Sequence, residues 1–186
     1  MEKESNKKTD LRIIRTTTNI KNAFLKLRSS KSLERITVKE LSDLALINKA
    51  TFYMHYKDIY DLSSQMEDEI LRAAINDVPH PEELIKKPQE TIYQLTVAVV
   101  SRQPIIDILF SGNRHSILID RYEELFKKSI YSKYPSYHTL KNDIIISLLI
   151  QGSFHAHQEH REANMNEIID ILGELTASLL EKFEYQ

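Results

Sequence analysis

The 186-residue sequence has no cysteine and no tryptophan, and only three glycines and five prolines. Without thiols there is no disulfide framework, thiolate zinc site, iron–sulfur cluster or cysteine nucleophile. So little glycine and proline cannot supply phosphate-cradling loops or the many tight turns of a β-rich fold. No run approaches the roughly 18 to 20 apolar residues of a membrane span, and the polar opening Met1 to Asp10 is not followed by the apolar stretch of a signal peptide. Gly-x-Ser-x-Gly, Walker-type and His-Glu-x-x-His patterns are missing too. These absences predict an all-α, cytoplasmic protein with no cofactor, no membrane partner and no enzymatic activity. With 41% hydrophobic residues, the chain has enough apolar surface to bury a core.

Charge is unevenly spread. Up to Tyr60 the chain holds 13 Lys and Arg against 7 Asp and Glu, a net of +6, whereas the remainder holds 12 against 20, a net of -8. A basic head on an acidic body predicts that the first third meets a polyanion while the rest serves another role.

Ile13, Ile20, Ala23, Phe24 and Leu27 recur at helical spacing, which predicts a first helix from about Thr9 to Arg28. Its other face carries Arg12, Arg15, Lys21, Lys26 and Arg28. Thr37 to Glu40 reads as a capping box, Thr37 as N-cap and Glu40 reaching back, with Val38, Leu41 and Ala45 facing inward. Asn48 can cap a third short helix that buries Phe52 and Tyr56. Asp58 can cap a fourth, from Ile59 through Leu62, Met66, Ile70 and Ala74 to the break at Pro79 and Pro81. Further helices are expected at about 88 to 102, 104 to 111 with Gly112 as a stop, 115 to 133, 138 to 161 and 165 to 183.

Two short helices joined by a tight turn and set on a third helix in a basic segment are the parts of a helix-turn-helix. Ser42 stands where the pair crosses and a small side chain is needed. Leu41, Ala45, Ile47 and Phe52 supply the apolar contacts.

The stretch Ile36-Thr37-Val38-Lys39-Glu40-Leu41, then Ile47-Asn48-Lys49-Ala50-Thr51-Phe52-Tyr53-Met54-His55-Tyr56-Lys57-Asp58 and Leu62, resembles the TetR family of bacterial transcriptional regulators over about residues 10 to 62. The resemblance implies a three-helix DNA-binding domain at 1–62, with about 1–9 as a flexible arm. It implies a helical regulatory and dimerisation domain at 63–186, and about nine helices in all. It also implies a homodimeric repressor on a palindromic operator of double-stranded DNA, released by a small organic effector. Carried over by position, Lys39, Lys49, Ala50 and Tyr53 match base contacts; Thr37, Thr51, His55 and Lys57 match phosphate contacts; Asn48 completes the DNA-binding set. Lys suits guanine O6 and N7, and hydroxyl and imidazole groups suit phosphate oxygens. The chain departs from the family at Leu46, where glycine is usual, at Ala50, often glycine or proline, and at Ile59, often a phosphate-binding lysine. Loss of that lysine leaves room for a second reading, a regulator-like module acting through a partner protein.

In the body, Tyr93, Phe110, Tyr122, Phe126, Tyr131, Tyr134 and Phe154 mix rings with hydroxyls and are the candidates for a pocket taking an amphipathic ligand. Ile144, Leu148, Gly152, Ile168, Leu172, Leu175 and Leu179 on the last two helices are the candidate dimer interface, although an intramolecular core explains the same spacing. Two pairs, His155 with Glu159 and His157 with His160, diverge around one helix, so no metal site is expected from them.

Overall fold

The computed structural model describes residues 2–84, 87–160 and 162–184, with side chains described from residue 11 onward except at 82, 88, 113, 115, 116 and 179–184. The fold is all-α: among the described residues there are nine α-helices and four short 3-10 turns, and no strand. The helices are α1 (Glu2–Arg28), α2 (Val38–Ala45), α3 (Lys49–Tyr53), α4 (Ile59–Asn76), α5 (Pro88–Val100), α6 (Gln103–Leu109), α7 (His115–Lys133), α8 (Leu140–Glu159) and α9 (Met165–Glu184). Helix α1 starts well before the Thr9 that its apolar pattern marks, since the polar turns ahead of it also favour helix. No helix among the described residues is long and apolar enough to cross a membrane.

The chain forms two compact units, which divide inside α4: one is Met1–Glu69 with Pro104–Asn113, the other Ile70–Gln103 with Arg114–Gln186. In the first unit, α1 packs on α2 and α2 on α3. Ile20, Phe24, Leu41, Phe52, Leu62, Ile106, Leu109 and Phe110 are its most deeply buried apolar side chains, each at most 1% exposed. Two sites join distant segments. The Arg28 guanidinium donates to the carbonyl oxygens of Lys31 and Ser111, both at 2.9 Å, which ties residues 104–113 to the end of α1. Lys21 pairs with Glu69. Within α4, the buried Ser63 hydroxyl donates to the buried Glu67 carboxylate at 2.7 Å, so the two polar groups satisfy each other one turn apart.

In the second unit α5 packs along α9, α7 along α8, and α8 against α9. The α9 stripe Ile169, Gly173 and Thr176 is buried, at the spacing of one helix face. Gly173 is required there, because an added Cβ would lie 2.3 Å from Gln89 Cγ and 3.1 Å from Gln89 Cα. Gly112 meets a different need: its φ of +64° turns the chain out of α6 in the left-handed region. Inward-facing Ile119, Tyr122, Phe126 and Ile130 of α7 are all buried, as their spacing predicts.

A polar seam joins α7 to α8. Lys127 Nζ lies 2.8 Å from Glu123, 3.1 Å from Asp143 and 2.6 Å from the Ser147 hydroxyl; Ser147 in turn donates to Glu123 at 2.6 Å and Gln151 donates to Glu123 at 2.9 Å. Burial pushes the Glu123 carboxyl up, but the donors Lys127, Ser147 and Gln151 outweigh it and hold the carboxyl below its ordinary range.

Two outcomes follow from this packing. Gly173→Ala forces α5 and α9 apart and is expected to cost about 1 to 3 kcal/mol in a denaturant titration; full retention of the midpoint would show that α5 yields freely. Because Glu123 is depressed in the folded state, its contribution to stability is complete above the ordinary glutamate range. It is lost as pH falls through that range and below. The acid limb of a melting-temperature profile should therefore be shallower in Glu123→Gln than in the parent chain.

Candidate nucleic-acid interface

The α2–α3 pair is set by its caps. Thr37 has extended backbone and its hydroxyl accepts from the Glu40 amide at 3.2 Å, opening α2. Glu40 does not reach back as a capping box requires: its carboxylate instead pairs with Lys31 Nζ at 2.5 Å. A lysine side chain offers the carboxylate a charged donor where the Thr37 amide offers a neutral one. Asn48 Oδ1 accepts from the Thr51 amide at 2.7 Å and from the Thr51 hydroxyl at 3.0 Å, opening α3. Asp58 Oδ1 accepts from the Asp61 amide at 2.8 Å, and Asp61 reaches back to the Lys57 amide at 2.9 Å, so α4 begins with two reciprocal bonds. Hydrogen bonds from Gln65 first, and then from the Lys57 amide, hold the Asp61 carboxyl below its ordinary range.

The turn between α2 and α3 is left-handed at Leu46, with φ 57° and ψ 43°. The Ile47 amide donates to Ser42 O at 3.0 Å and the Leu46 amide to Asp43 O at 3.3 Å, the bond pattern by which glycine commonly ends a helix. The glycine geometry is thus kept and a leucine is strained into it, its side chain 89% exposed. Ser42 is buried at the crossing, and its hydroxyl has no hydrogen-bond partner among the described residues. Size, not hydrogen bonding, is therefore what the crossing takes from serine.

Phe52 is fully buried, with Tyr53 edge-on to its ring at 5.5 Å and Tyr56 tilted against it at 5.7 Å. Tyr56 lies beyond the end of α3 yet is buried; burial, and then the charges of Glu69 and Asp61, push its hydroxyl pKa up. With Phe52 turned inward, Lys49, Ala50 and Tyr53 are left outward and exposed on α3. Thr37, Lys39, Asn48 and Lys57 are exposed as well, while Thr51 and His55 are half-buried. One role changes in detail: the Thr51 hydroxyl proton is directed to Asn48, so Thr51 has only lone pairs to offer outward. Ile59, at the site of the missing lysine, is buried in the first unit.

The seven candidate pocket side chains are divided between the two units. Phe110 is wholly buried in the first unit, whereas the other six belong to the second. Tyr122 and Phe126 are buried and stack with centroids 6.2 Å apart. Tyr131 stacks on His138 at 4.4 Å and donates to Asp143 at 3.2 Å. Tyr93 is half-exposed on α5; Tyr134 and Phe154 are partly covered, against Tyr137 and His155. The Tyr122 hydroxyl is buried without a hydrogen-bond partner among the described residues, and burial drives its pKa far upward.

On α8 the exposed apolar positions are Leu140, Ile144 and Leu148, one turn apart, with Gly152 exposed in open space beyond them. On α9 they are Ile171 and Leu175, with Ile168 and Leu172 half-buried; the Leu179 side chain lies outside the described residues. Leu140 and Ile171 join the stripes without having been singled out by spacing, although each stands four residues before a residue that was. Among the described residues no group of three or more His, Cys, Asp or Glu is placed to hold a metal ion.

A three-residue turn between two capped helices, seated on α1 and presenting one face of the second helix, is the geometry of a helix-turn-helix. The chain is similar to an uncharacterized HTH-type transcriptional regulator, YxbF of Bacillus subtilis (strain 168), with 29% identity over 115 residues. The similarity covers 58% of this chain and 30% of that protein, so the chain spans about a third of its relative's length. No family model matches the chain. No solved structure matches it either.

Two substitutions of opposite sign check the geometry. Phe52→Ala leaves a cavity at the centre of the first unit and is expected to cost about 3 to 5 kcal/mol. Leu46→Gly relieves the left-handed strain and is expected to gain about 0.5 to 1 kcal/mol, the freedom glycine adds to the unfolded chain taking back part of the relief. A loss of stability in Leu46→Gly would show that the exposed leucine makes a contact that outweighs its strain.

Proposed function

We propose that the chain is a transcription regulator of TetR type, a homodimeric repressor that binds palindromic operator DNA and lets go when a small organic effector binds. The observation that carries this reading is the outward face of α3, where Lys49, Ala50 and Tyr53 stand exposed on a helix held by Phe52 and by the caps Thr37 and Asn48. Lys49 donates to guanine O6 and N7, Ala50 meets a thymine methyl and Tyr53 reads a base edge or a phosphate. Lys39 adds a further base contact from α2. Asn48 uses its side-chain oxygen within the cap and keeps its amide protons for a phosphate; Thr37, His55 and Lys57 add phosphate contacts. Thr51 fixes Asn48 and through it this surface. Similarity to an HTH-type transcriptional regulator supports the same reading and favours no enzymatic activity.

Dimerisation is supported by the outer faces of α8 and α9. Ile144, Leu148 and Leu175 are each more than half exposed, beside Leu140 and Ile171. Apolar stripes on two adjoining long helices fit a four-helix contact with a second copy, and two headpieces read enough base pairs for genomic specificity. An effector site in the second unit is supported by the buried Tyr122 hydroxyl, which has no hydrogen-bond partner among the described residues and which a ligand acceptor would satisfy.

Selection of bound duplexes from a random pool at physiological salt tests the reading, and a palindrome is the expected product. Lys49→Ala or Tyr53→Ala should then weaken binding to the selected duplex by about 1 to 3 kcal/mol and relax preference at the bases concerned, with the melting temperature unchanged. Failure of the full chain to enrich any duplex, alone or dimeric, would overturn the operator reading and point to action through a partner protein.

A further inference from the structure

From Leu11 to Arg28, helix α1 carries five basic residues and no acidic one. Two of the five serve the fold, Lys21 through its pair with Glu69 and Arg28 through its bonds to two carbonyl oxygens. The other three, Arg12, Arg15 and Lys26, are exposed and pair with no carboxylate among the described residues.

Their spacing gives them a common direction. Arg12, Arg15, Asn19, Asn22 and Lys26 follow one another at alternate steps of three and four, so the five side chains form one stripe along the helix, and every one of them is exposed. The stripe's polar groups are cationic or carboxamide, and none is a carboxylate. At about 1.5 Å per residue it runs for about 21 Å, close to six base pairs of duplex at about 3.4 Å each. Helix α1 also outruns its own core: Ile13 continues the inward register of Ile20, Phe24 and Leu27 but is 46% exposed, and Ile20 is the first buried residue among the described side chains. The first unit's packing accounts for the second half of α1 and leaves its Arg12–Arg15 end unused.

We infer that the outer stripe of α1 is a second DNA contact, a clamp on the sugar–phosphate backbone of duplex flanking the bases read by α3. This rests on the DNA-binding reading above and adds to it a surface that carries affinity without sequence. Two arginine forks suit phosphate oxygens in bidentate geometry, Asn19 and Asn22 supply neutral donors between them, and the absence of acidic side chains along the stripe removes repulsion of the backbone. Helices α1 and α3 belong to the same compact unit, so both contacts are assigned to one headpiece.

The test uses the full chain, the duplex selected from the random pool, the same duplex trimmed of its flanks, and an unrelated duplex, each titrated between 50 and 200 mM salt. Removing two phosphate contacts in R12Q/R15Q should lower the salt slope by about 1.8, so that the parent chain loses about twelvefold more affinity than the variant across that range. The loss should appear on the flanked and the unrelated duplex, shrink on the trimmed one, and leave base preference intact. R12K/R15K, which keeps the charge, should keep the slope, and helicity should be unchanged in both. An unchanged slope in R12Q/R15Q on a duplex that the parent still selects overturns the α1 clamp and leaves the operator reading standing. A slope lowered in R12Q/R15Q on the unrelated duplex, when the parent chain shows no base preference, does the reverse. No binding of DNA by the parent chain overturns both, and an equal loss on the trimmed duplex overturns the flanking placement.

Discussion

The burial of Phe52 is the constraint on which the headpiece depends. A five-residue helix has almost no stability of its own, because nucleation is barely repaid before the helix ends. What holds α3 in place is one aromatic side chain sunk among Tyr53, Tyr56 and the apolar face of α2, with Asn48 and Thr51 closing the first turn. Once Phe52 points inward, the helical period sends Lys49, Ala50 and Tyr53 outward. The outward face is therefore a consequence of the core, and its chemistry can vary without disturbing the fold.

Leu46 and Ser42 show how little freedom that arrangement leaves. The turn keeps the geometry that glycine would adopt without strain, and the crossing keeps a small residue whose hydroxyl has no hydrogen-bond partner among the described residues. In both places the close approach of α2 and α3 is preserved at the expense of a local preference, as expected where the position of one short helix determines what the molecule can touch.

The second unit follows another logic. Its helices are long enough to be helical by pattern, and they are joined by two contrasting devices: a close approach at Gly173, and a charged seam of Lys127 with Glu123, Asp143 and Ser147. The apolar residues left outside, on α8 and α9, are too regular in spacing to be scattered surface. Taken with the basic first third and the acidic remainder, the chain separates a part rich in cationic side chains from a part whose spare surface is apolar.

The sequence by itself determined the all-helical class, the positions of nearly every helix after the first, the caps Thr37, Asn48 and Asp58, and the inward face of α7. All of these are local: they follow from the helical period, from proline and glycine punctuation, and from side chains that bond amides three residues on. Tertiary structure alone decided which of two equally apolar faces of α8 is covered, since Ile145 and Leu149 are buried while their neighbours Ile144 and Leu148 are not. It decided that Glu40 pairs with Lys31 instead of closing its own cap, and that Phe110 belongs to the first unit although it stands far along the chain. It also decided that α1 continues beyond the core it packs on. The physical reason is common to these cases: each depends on a neighbour remote in sequence, and periodicity records only the direction a side chain takes, not what waits there.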